Sequence, residues 1–179
     1  DEESAVNYRG YINLGGNIRN IYILLLLSML TTGWGQDCDV PVCMSIQSVN
    51  TGTLEIFMIN QTGCSYGEGS PQIFDTSMDE VDCENVAGTW FNGEVAGFQF
   101  DIEGVTISSA SGGAAAAAGF AVTTSNSTVI GFSLQGATIS AGSGVLTTLS
   151  FTNNEDEICF GENPGTIGDA SGSHIAADW

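Results

Sequence analysis

Short alternating apolar segments, separated by Gly, Asn and Ser, fill the chain from Gln36 onward. Alternation with a period of two is typical of strands that bury one face, and no window shows the period of a long amphipathic helix. In the clearest segment, residues 95–102, the side chains of Phe98, Phe100 and Ile102 face one way and polar ones the other. The pattern predicts an all-β fold, an antiparallel β-sandwich.

One domain is expected over residues 36–179. A run of five alanines, residues 114–118, is too short to hold a helix alone, so we expect a helical turn or loop there. Residues 61–93 do not alternate and are predicted to form an irregular insertion that carries cysteines. The predicted strands are residues 42–49, 53–59, 95–102, 105–107, 120–124, 128–134, 144–151 and 157–160.

Three of these segments resemble a cohesin domain: residues 95–102 (VAGFQFDI), 129–133 (VIGFS) and 142–151 (GSGVLTTLSF). Cohesins are the β-sandwich receptors of cellulosome scaffolds and are related in fold to some carbohydrate-binding modules. The resemblance implies a cohesin-like jelly roll without catalytic activity and with a protein or polysaccharide partner. The chain departs from the family in its short hairpin at Glu103 and Gly104 and in its cysteine-bearing insertion.

The alternation in the last of these segments predicts which of its residues share a face. Side chains two residues apart on a strand point to the same side of the sheet. We therefore expect Val145, Thr147, Leu149 and Phe151 to share one face of the sandwich.

Charge is distributed very unevenly along the sequence. The chain has 21 acidic residues and two basic ones, Arg9 and Arg19. Three of the acids are residues 1–3, so 18 acids and no Lys or Arg follow Gln36. Such a surface repels nucleic acid and anionic lipid, because it has no group that neutralises phosphate. It attracts divalent cations, although solubility in a salty medium explains it equally well.

Residues 1–35 are predicted to be a helical signal peptide. Two arginines precede about ten apolar residues, and the small residues Gly33 and Gly35 follow. The apolar run is shorter than the roughly 20 residues of a transmembrane helix, and no second apolar span follows it. We therefore expect a secreted or cell-surface protein with no membrane span in the mature chain. The alternative is that the run is a buried helix of the domain.

Five cysteines fit an exported protein with disulfides. Cys64 and Cys83 bracket a polar stretch and are predicted to pair, which would stabilise the fold by about 3 kcal/mol. Cys43 and Cys159 lie on predicted strands and are candidates to pair across the sandwich. Cys38 is then the odd one, which stays free, links chains or replaces one of these partners.

Two candidate binding sites fall in the insertion. Its acidic side chains supply the oxygen ligands that calcium prefers, although a solvated turn has the same composition. An aromatic platform for sugars would be Trp90 and Phe91 with Tyr66 as an outlying member, unless the Trp covers an end of the sandwich. The candidate calcium ligands are Asp75, Asp79, Glu80 and Asp82.

Catalysis is not expected from this sequence. The chain has one histidine, His174, in a Gly- and Ser-rich tail, where a solvated side chain is the ordinary role. Asn60 and Asn126 each begin an Asn-x-Thr sequence that fits an N-glycosylation acceptor. Uncharged strands in residues 119–150 would leave an edge open for a second copy, unless the tail or the insertion covers it.

The function expected from these features is extracellular, non-catalytic binding, as a scaffold or adhesion module with a protein or polysaccharide partner. Calcium is the one cofactor considered. Two alternatives stay open: a self-assembling subunit of a filament or surface layer, and a carbohydrate-binding module of a polysaccharide-degrading system.

Overall fold

The computed structural model describes residues 38–68, 72–152 and 157–179, with the backbone alone at residues 163 and 164. The predicted signal peptide, residues 1–35, lies outside the described residues and stays a prediction. In chain order, the strands and helices are β1 (Val42–Asn50), β2 (Thr53–Asn60), β3 (Gly63–Tyr66), β4 (Ile73–Asp75), α1 (Glu80–Asn85), β5 (Thr89–Phe91), β6 (Gly97–Glu103), β7 (Thr106–Ser111), α2 (Gly113–Ala117), β8 (Ala121–Thr124), β9 (Thr128–Phe132), β10 (Gly142–Thr152), β11 (Cys159–Gly168), β12 (His174–Ile175) and β13 (Ala177–Asp178).

Two five-stranded sheets form the sandwich that the alternation predicts. The first sheet has the order β13-β1-β2-β10-β7, and the second has the order β12-β11-β6-β9-β8. Neighbouring strands are antiparallel except β1 and β13, which pair in parallel. The all-β sandwich is therefore confirmed, with one parallel pair at the edge of the first sheet.

Both sheets contribute side chains to one hydrophobic core. Leu54 and Ile56 of β2 and Leu149 of β10 lie on one side of it and are fully buried. Phe100 and Ile102 of β6 lie on the other side and are also fully buried, as the alternation of residues 95–102 predicts. Burying a side chain of this size stabilises the fold by about 1.5–3 kcal/mol.

The face predicted for residues 145–151 is wrong at one end. The pairing of β10 with β2 shifts between Val145 and Thr147, which is a β-bulge. The extra residue turns Leu146 fully into the core, while Val145 is half-buried. Thr147 is also buried, and its Oγ1 donates a hydrogen bond to the Ser111 carbonyl at 3.3 Å. A bulge moves one residue out of register, and simple alternation cannot locate it.

The alanine run forms the short helix α2, in agreement with the expected helical turn. Ala115 is fully buried in the core, and the helix begins at Gly113 with a φ of +66°. A Cβ at Gly113 would lie 2.4 Å from the Leu146 carbonyl oxygen, so a larger residue would push β10 away. The helix is therefore held by close packing on β10 rather than by its length.

The described part of the insertion, residues 61–68 and 72–93, forms regular strands and a helix, which corrects the predicted irregular structure. Its strands form a three-stranded sheet in the order β4-β3-β5, and α1 lies between β4 and β5 in the chain. Strands of three or four residues are too short to show a period of two, which explains the error. We call β3, β4, α1 and β5 the lobe.

One disulfide joins Cys64 of β3 to Cys83 of α1, the pairing expected from the sequence, and both residues are fully buried. The predicted pair of Cys43 and Cys159 is wrong. Cys43 is bonded to Cys38 instead, five residues earlier, and Cys159 is free and exposed. Cys43 lies in the first sheet and Cys159 in the second, whereas Cys38 lies on the loop that enters β1.

Candidate binding face

The solvent side of the second sheet, which we call the outer face, carries an unusual line of apolar side chains. On β9, Val129 and Gly131 point into the core, while Ile130 and Phe132 point to solvent and are each 38% exposed. Leu134 follows in the next turn and is 85% exposed. Antiparallel sheets usually present polar residues to water, so this apolar stripe (Ile130, Phe132 and Leu134) is a candidate interaction site.

Packing beneath β9 holds the stripe in place. A Cβ at Gly131 would lie 2.1 Å from Cζ of Phe98, so the ring fills the space that a side chain would need. The Phe98 ring stacks on Phe100 and Phe120, with centroids 5.8 Å and 6.1 Å away. Aromatic rings therefore fill the inner side of β9 and fix the strand that carries the stripe.

A groove of about 310 Å³ crosses the outer face beside the stripe. One row of the sheet runs from Phe132 through Gly97 and Gly168 to His174, so the floor of the groove is glycine and its walls are aromatic. A Cβ would stay 3.5 Å from the nearest atom at Gly97 and 3.8 Å at Gly168, which are ordinary contacts. The packing does not require glycine at either position, and the effect of both glycines is an open groove.

Acidic side chains lie at the other end of the outer face. Asp101 pairs with Thr128 of β9, and Glu103 is exposed at the end of β6. Oδ1 of Asp101 is buried and has no hydrogen-bond donor among the described residues. A buried acceptor without a donor costs about 1–3 kcal/mol. No Lys or Arg follows Arg19 in the sequence, so residues 36–179 cannot supply a basic side chain to it.

The three aromatic residues predicted as a sugar platform differ in burial. Trp90 and Phe91 are neighbours on β5, and successive side chains of a strand point to opposite faces. Phe91 is 9% exposed and belongs to the core, so the platform stays a prediction. Trp90 and Tyr66 are half-buried, and Trp90 borders a cavity of about 350 Å³ with Glu80 and Glu94.

Two of the four predicted calcium ligands, Asp75 and Asp79, accept local hydrogen bonds. Oδ1 of Asp79 caps α1 by accepting a hydrogen bond from the Asp82 N–H at 2.9 Å. Oδ1 of Asp75 accepts from the Ser77 hydroxyl at 2.6 Å and from its N–H, and these bonds lower the pKa of Asp75. Glu80 is exposed at the start of α1. In the described part of the chain, no three Asp, Glu, His or Cys side chains are placed to hold a metal ion together. Calcium stays a prediction.

The loop between β11 and β12 is tied to one carboxylate. Oδ1 of Asp169 accepts hydrogen bonds from the Ser171 hydroxyl at 2.7 Å, from the Ser171 N–H and from the Ser173 N–H. The Ser171 hydroxyl is the main reason why the pKa of Asp169 lies below its ordinary value. This loop brings the exposed His174 to the edge of the groove. Ser171 is thus engaged with Asp169 rather than placed as a nucleophile beside His174.

The apolar stripe was missed by sequence reasoning, although its strand was predicted. Val129 and Ile130 are both apolar, so the two sides of this strand look alike in the sequence. The available signal was Gly131, because a glycine facing the core leaves its apolar neighbours on the outside.

Comparison with known proteins yields a partial likeness to a solved structure. No family model matches the chain, and no curated protein matches it. A chain in the crystal structure of a CaDoc0917–CaCohA2 complex is similar to it with a TM-score of 0.42 and 13% sequence identity. The likeness covers 76% of this chain and 93% of that one. Among the residues that the structure describes, no helix has the length and apolar content to cross a membrane.

Proposed function

We propose that the protein is a non-catalytic extracellular binding module that docks a cationic protein segment on the outer face of its second sheet. The observation that carries this proposal is the exposed apolar stripe beside a glycine-floored groove. Exposed apolar patches with polar surroundings are typical of protein interaction sites. The fixed strand beneath the stripe favours docking without rearrangement.

The stripe favours a protein over a polysaccharide. Sugar rings stack on flat aromatic side chains, whereas Ile130 and Leu134 are aliphatic. Phe132 alone offers a ring on the stripe, and the other predicted aromatic sites lie in the lobe. Aliphatic side chains beside an open groove suit the apolar anchor residues of a partner protein.

The charge of the domain favours a cationic partner. With 18 acids and no Lys or Arg after Gln36, the domain attracts positive segments over long range. Asp101 and the exposed Glu103 place two of these acids on the outer face itself, towards the end of β6.

An extracellular location is supported by the two disulfides, Cys38–Cys43 and Cys64–Cys83. Disulfides persist in oxidising compartments and are rare in the cytosol. The acidic surface also argues against nucleic acid as the partner.

The proposal is tested by selecting ligands for the full chain from a displayed peptide library that holds equal numbers of cationic and anionic members. We expect enrichment of cationic peptides with an apolar anchor, and an affinity that falls as salt is added. Leu134→Asp should abolish the binding. Val81→Asp is the matched control, because it places the same charge at a 65% exposed apolar residue of α1.

Three results would contradict the proposal. One is the absence of enrichment relative to an unrelated protein of equal negative charge. Another is an equal loss of binding in both Asp variants. The third is an oligomer seen by light scattering of the full chain alone that Leu134→Asp dissociates, which would assign the stripe to a second copy. Retention on an insoluble polysaccharide that is lost in Trp90→Ala would instead support the carbohydrate-binding alternative.

A further inference from the structure

The two Asn-x-Thr sequences of the chain have opposite environments in the fold. Asn60 is 2% exposed, and its Nδ2 donates hydrogen bonds to the carbonyl oxygens of Gly93 at 2.6 Å and Ser140 at 2.9 Å. A glycan on this nitrogen would break these bonds and has no room. The folded protein therefore excludes modification at Asn60.

Asn126 lies instead in the exposed turn between β8 and β9. The backbone of the turn is fixed, because the Asn126 carbonyl accepts a hydrogen bond from the Ile107 N–H at 2.7 Å. The Ser125 N–H also donates to the Thr128 carbonyl at 2.8 Å, which closes the hairpin. The side chain of Asn126 is exposed, so a glycan there would extend into solvent without disturbing either sheet.

We propose that Asn126 is an acceptor site for an N-linked glycan. Ser127 and Thr128 complete the acceptor sequence, and Ser127 meets the requirement that the middle residue is not proline. The two disulfides indicate an oxidising, exported environment, which is where this modification occurs. The buried Asn60 sequence gives the chain its own negative control.

The chemistry is a group transfer from a lipid-linked oligosaccharide diphosphate, catalysed by the transferase of the secretory pathway. Nδ2 of Asn126 forms a bond to the anomeric carbon of the glycan. The bond from that carbon to the diphosphate oxygen breaks, and the lipid diphosphate leaves with the electron pair. Nδ2 gives up one proton, and no oxidant or reductant takes part.

A glycan at this position leaves the groove end of the outer face open. Phe132 lies six residues beyond Asn126, on the strand that follows the turn, which corresponds to about 20 Å. The modification therefore does not depend on whether the outer face binds a protein, and the two proposals can fail separately.

The test is expression of the full chain behind a secretion signal in yeast, followed by intact-mass analysis with and without peptide-N-glycosidase. Secreted and microsomal fractions are both measured, so that retained protein is also seen. We expect one enzyme-sensitive glycan, which Asn126→Gln removes. Thr62→Ala, which destroys the other acceptor sequence and leaves Asn60 intact, should keep it. Unmodified protein in both fractions, or loss of the glycan in Thr62→Ala, would overturn the proposal.

Discussion

The lobe and the outer face of the second sheet differ in how their conspicuous residues are used. In the lobe, the carboxylate of Asp79 caps a helix, Cys64 is bonded to Cys83, and Phe91 completes the core. On the outer face, Phe132 and Leu134 are exposed, and Oδ1 of Asp101 has no donor among the described residues.

The acids, cysteines and aromatic residues of the lobe are engaged in its own structure, whereas the apolar side chains of the outer face are exposed to solvent. The acids, cysteines and aromatic residues of the lobe predict binding sites there. A small three-stranded sheet, however, needs such groups for its own stability. An ordinary-looking strand, β9, instead offers apolar side chains to solvent. The predictions below test whether stability effects belong to the lobe and binding effects to the outer face.

The largest expected effect is on the stability of the lobe. Replacing Cys64 and Cys83 together by Ser should lower the free energy of unfolding by about 3 kcal/mol, because the bridge closes a loop with a sequence separation of 19. The matched pair, Cys38→Ser with Cys43→Ser, opens a separation of five and should cost about 2 kcal/mol. Denaturant unfolding measures both. If the variant without Cys64 and Cys83 still folds but loses peptide binding, then binding depends on the lobe as well as on the outer face.

Truncation of the stripe should affect binding alone. Phe132→Ala removes one wall of the groove and should weaken binding of the selected cationic peptide by at least about ten-fold, or about 1.4 kcal/mol. Calorimetric titration measures the affinity. Ile73→Ala truncates a 59% exposed side chain in the lobe and should leave the affinity unchanged. A similar loss of affinity in both variants would show that binding does not depend on the apolar stripe.

The helix cap in the lobe should have a smaller effect. Asp79→Ala removes the hydrogen bond to the Asp82 N–H and should cost about 1 kcal/mol of stability. Hydrogen exchange should quicken in α1 and stay unchanged in β9. Calcium added to the wild type gives the converse measurement, since a slowing of exchange in α1 would support the predicted calcium site.

A side chain added to the floor of the groove tests whether the partner enters it. Gly97→Ala adds a methyl group to the groove floor without a clash, and we expect about three-fold weaker binding, or about 0.6 kcal/mol. Gly144→Ala on β10 is the control, because a Cβ there has no heavy atom within 4 Å. An unchanged affinity in Gly97→Ala would mean that the partner does not enter the groove.

The smallest effect concerns pH and the loop beside the groove. The pKa of Asp169 is lowered in the folded state by the Ser171 hydroxyl, so the ionised carboxylate stabilises the fold. This contribution is present above the unfolded pKa of about 3.9 and is lost as the pH falls through the lower folded value. Asp169→Asn should therefore melt below the wild type at neutral pH, and the gap should close in acid. A gap that is constant with pH would exclude this role of the carboxylate.

Strand positions could be predicted from the sequence because burial on one side imposes a period of two. Residues 95–102 anticipated β6 and its inward Phe100, and the start of β1 was predicted at Val42, where the structure has it. The local pairing of Cys64 with Cys83 followed from a polar loop between them. These features depend on residues that are near in sequence.

The remaining features depend on register and packing between distant residues. The bulge that turns Leu146 inward and the ring of Phe98 that replaces a side chain at Gly131 both arise from contacts between strands. The sequence predicts Cys159 as the partner of Cys43. Nothing in the sequence indicates that the loop before β1 brings Cys38 beside Cys43. The sidedness of β9, on which the candidate site depends, belongs to this class.

The central claim is that the outer face of the second sheet is the docking surface. The most direct test is a nitrogen-15 NMR titration of the full chain with the cationic peptide enriched by selection. The account predicts that amide shifts concentrate on β9, on β6 around Asp101 and on the glycines of the groove, with the lobe unchanged. Shifts confined to the lobe around Trp90 would contradict it.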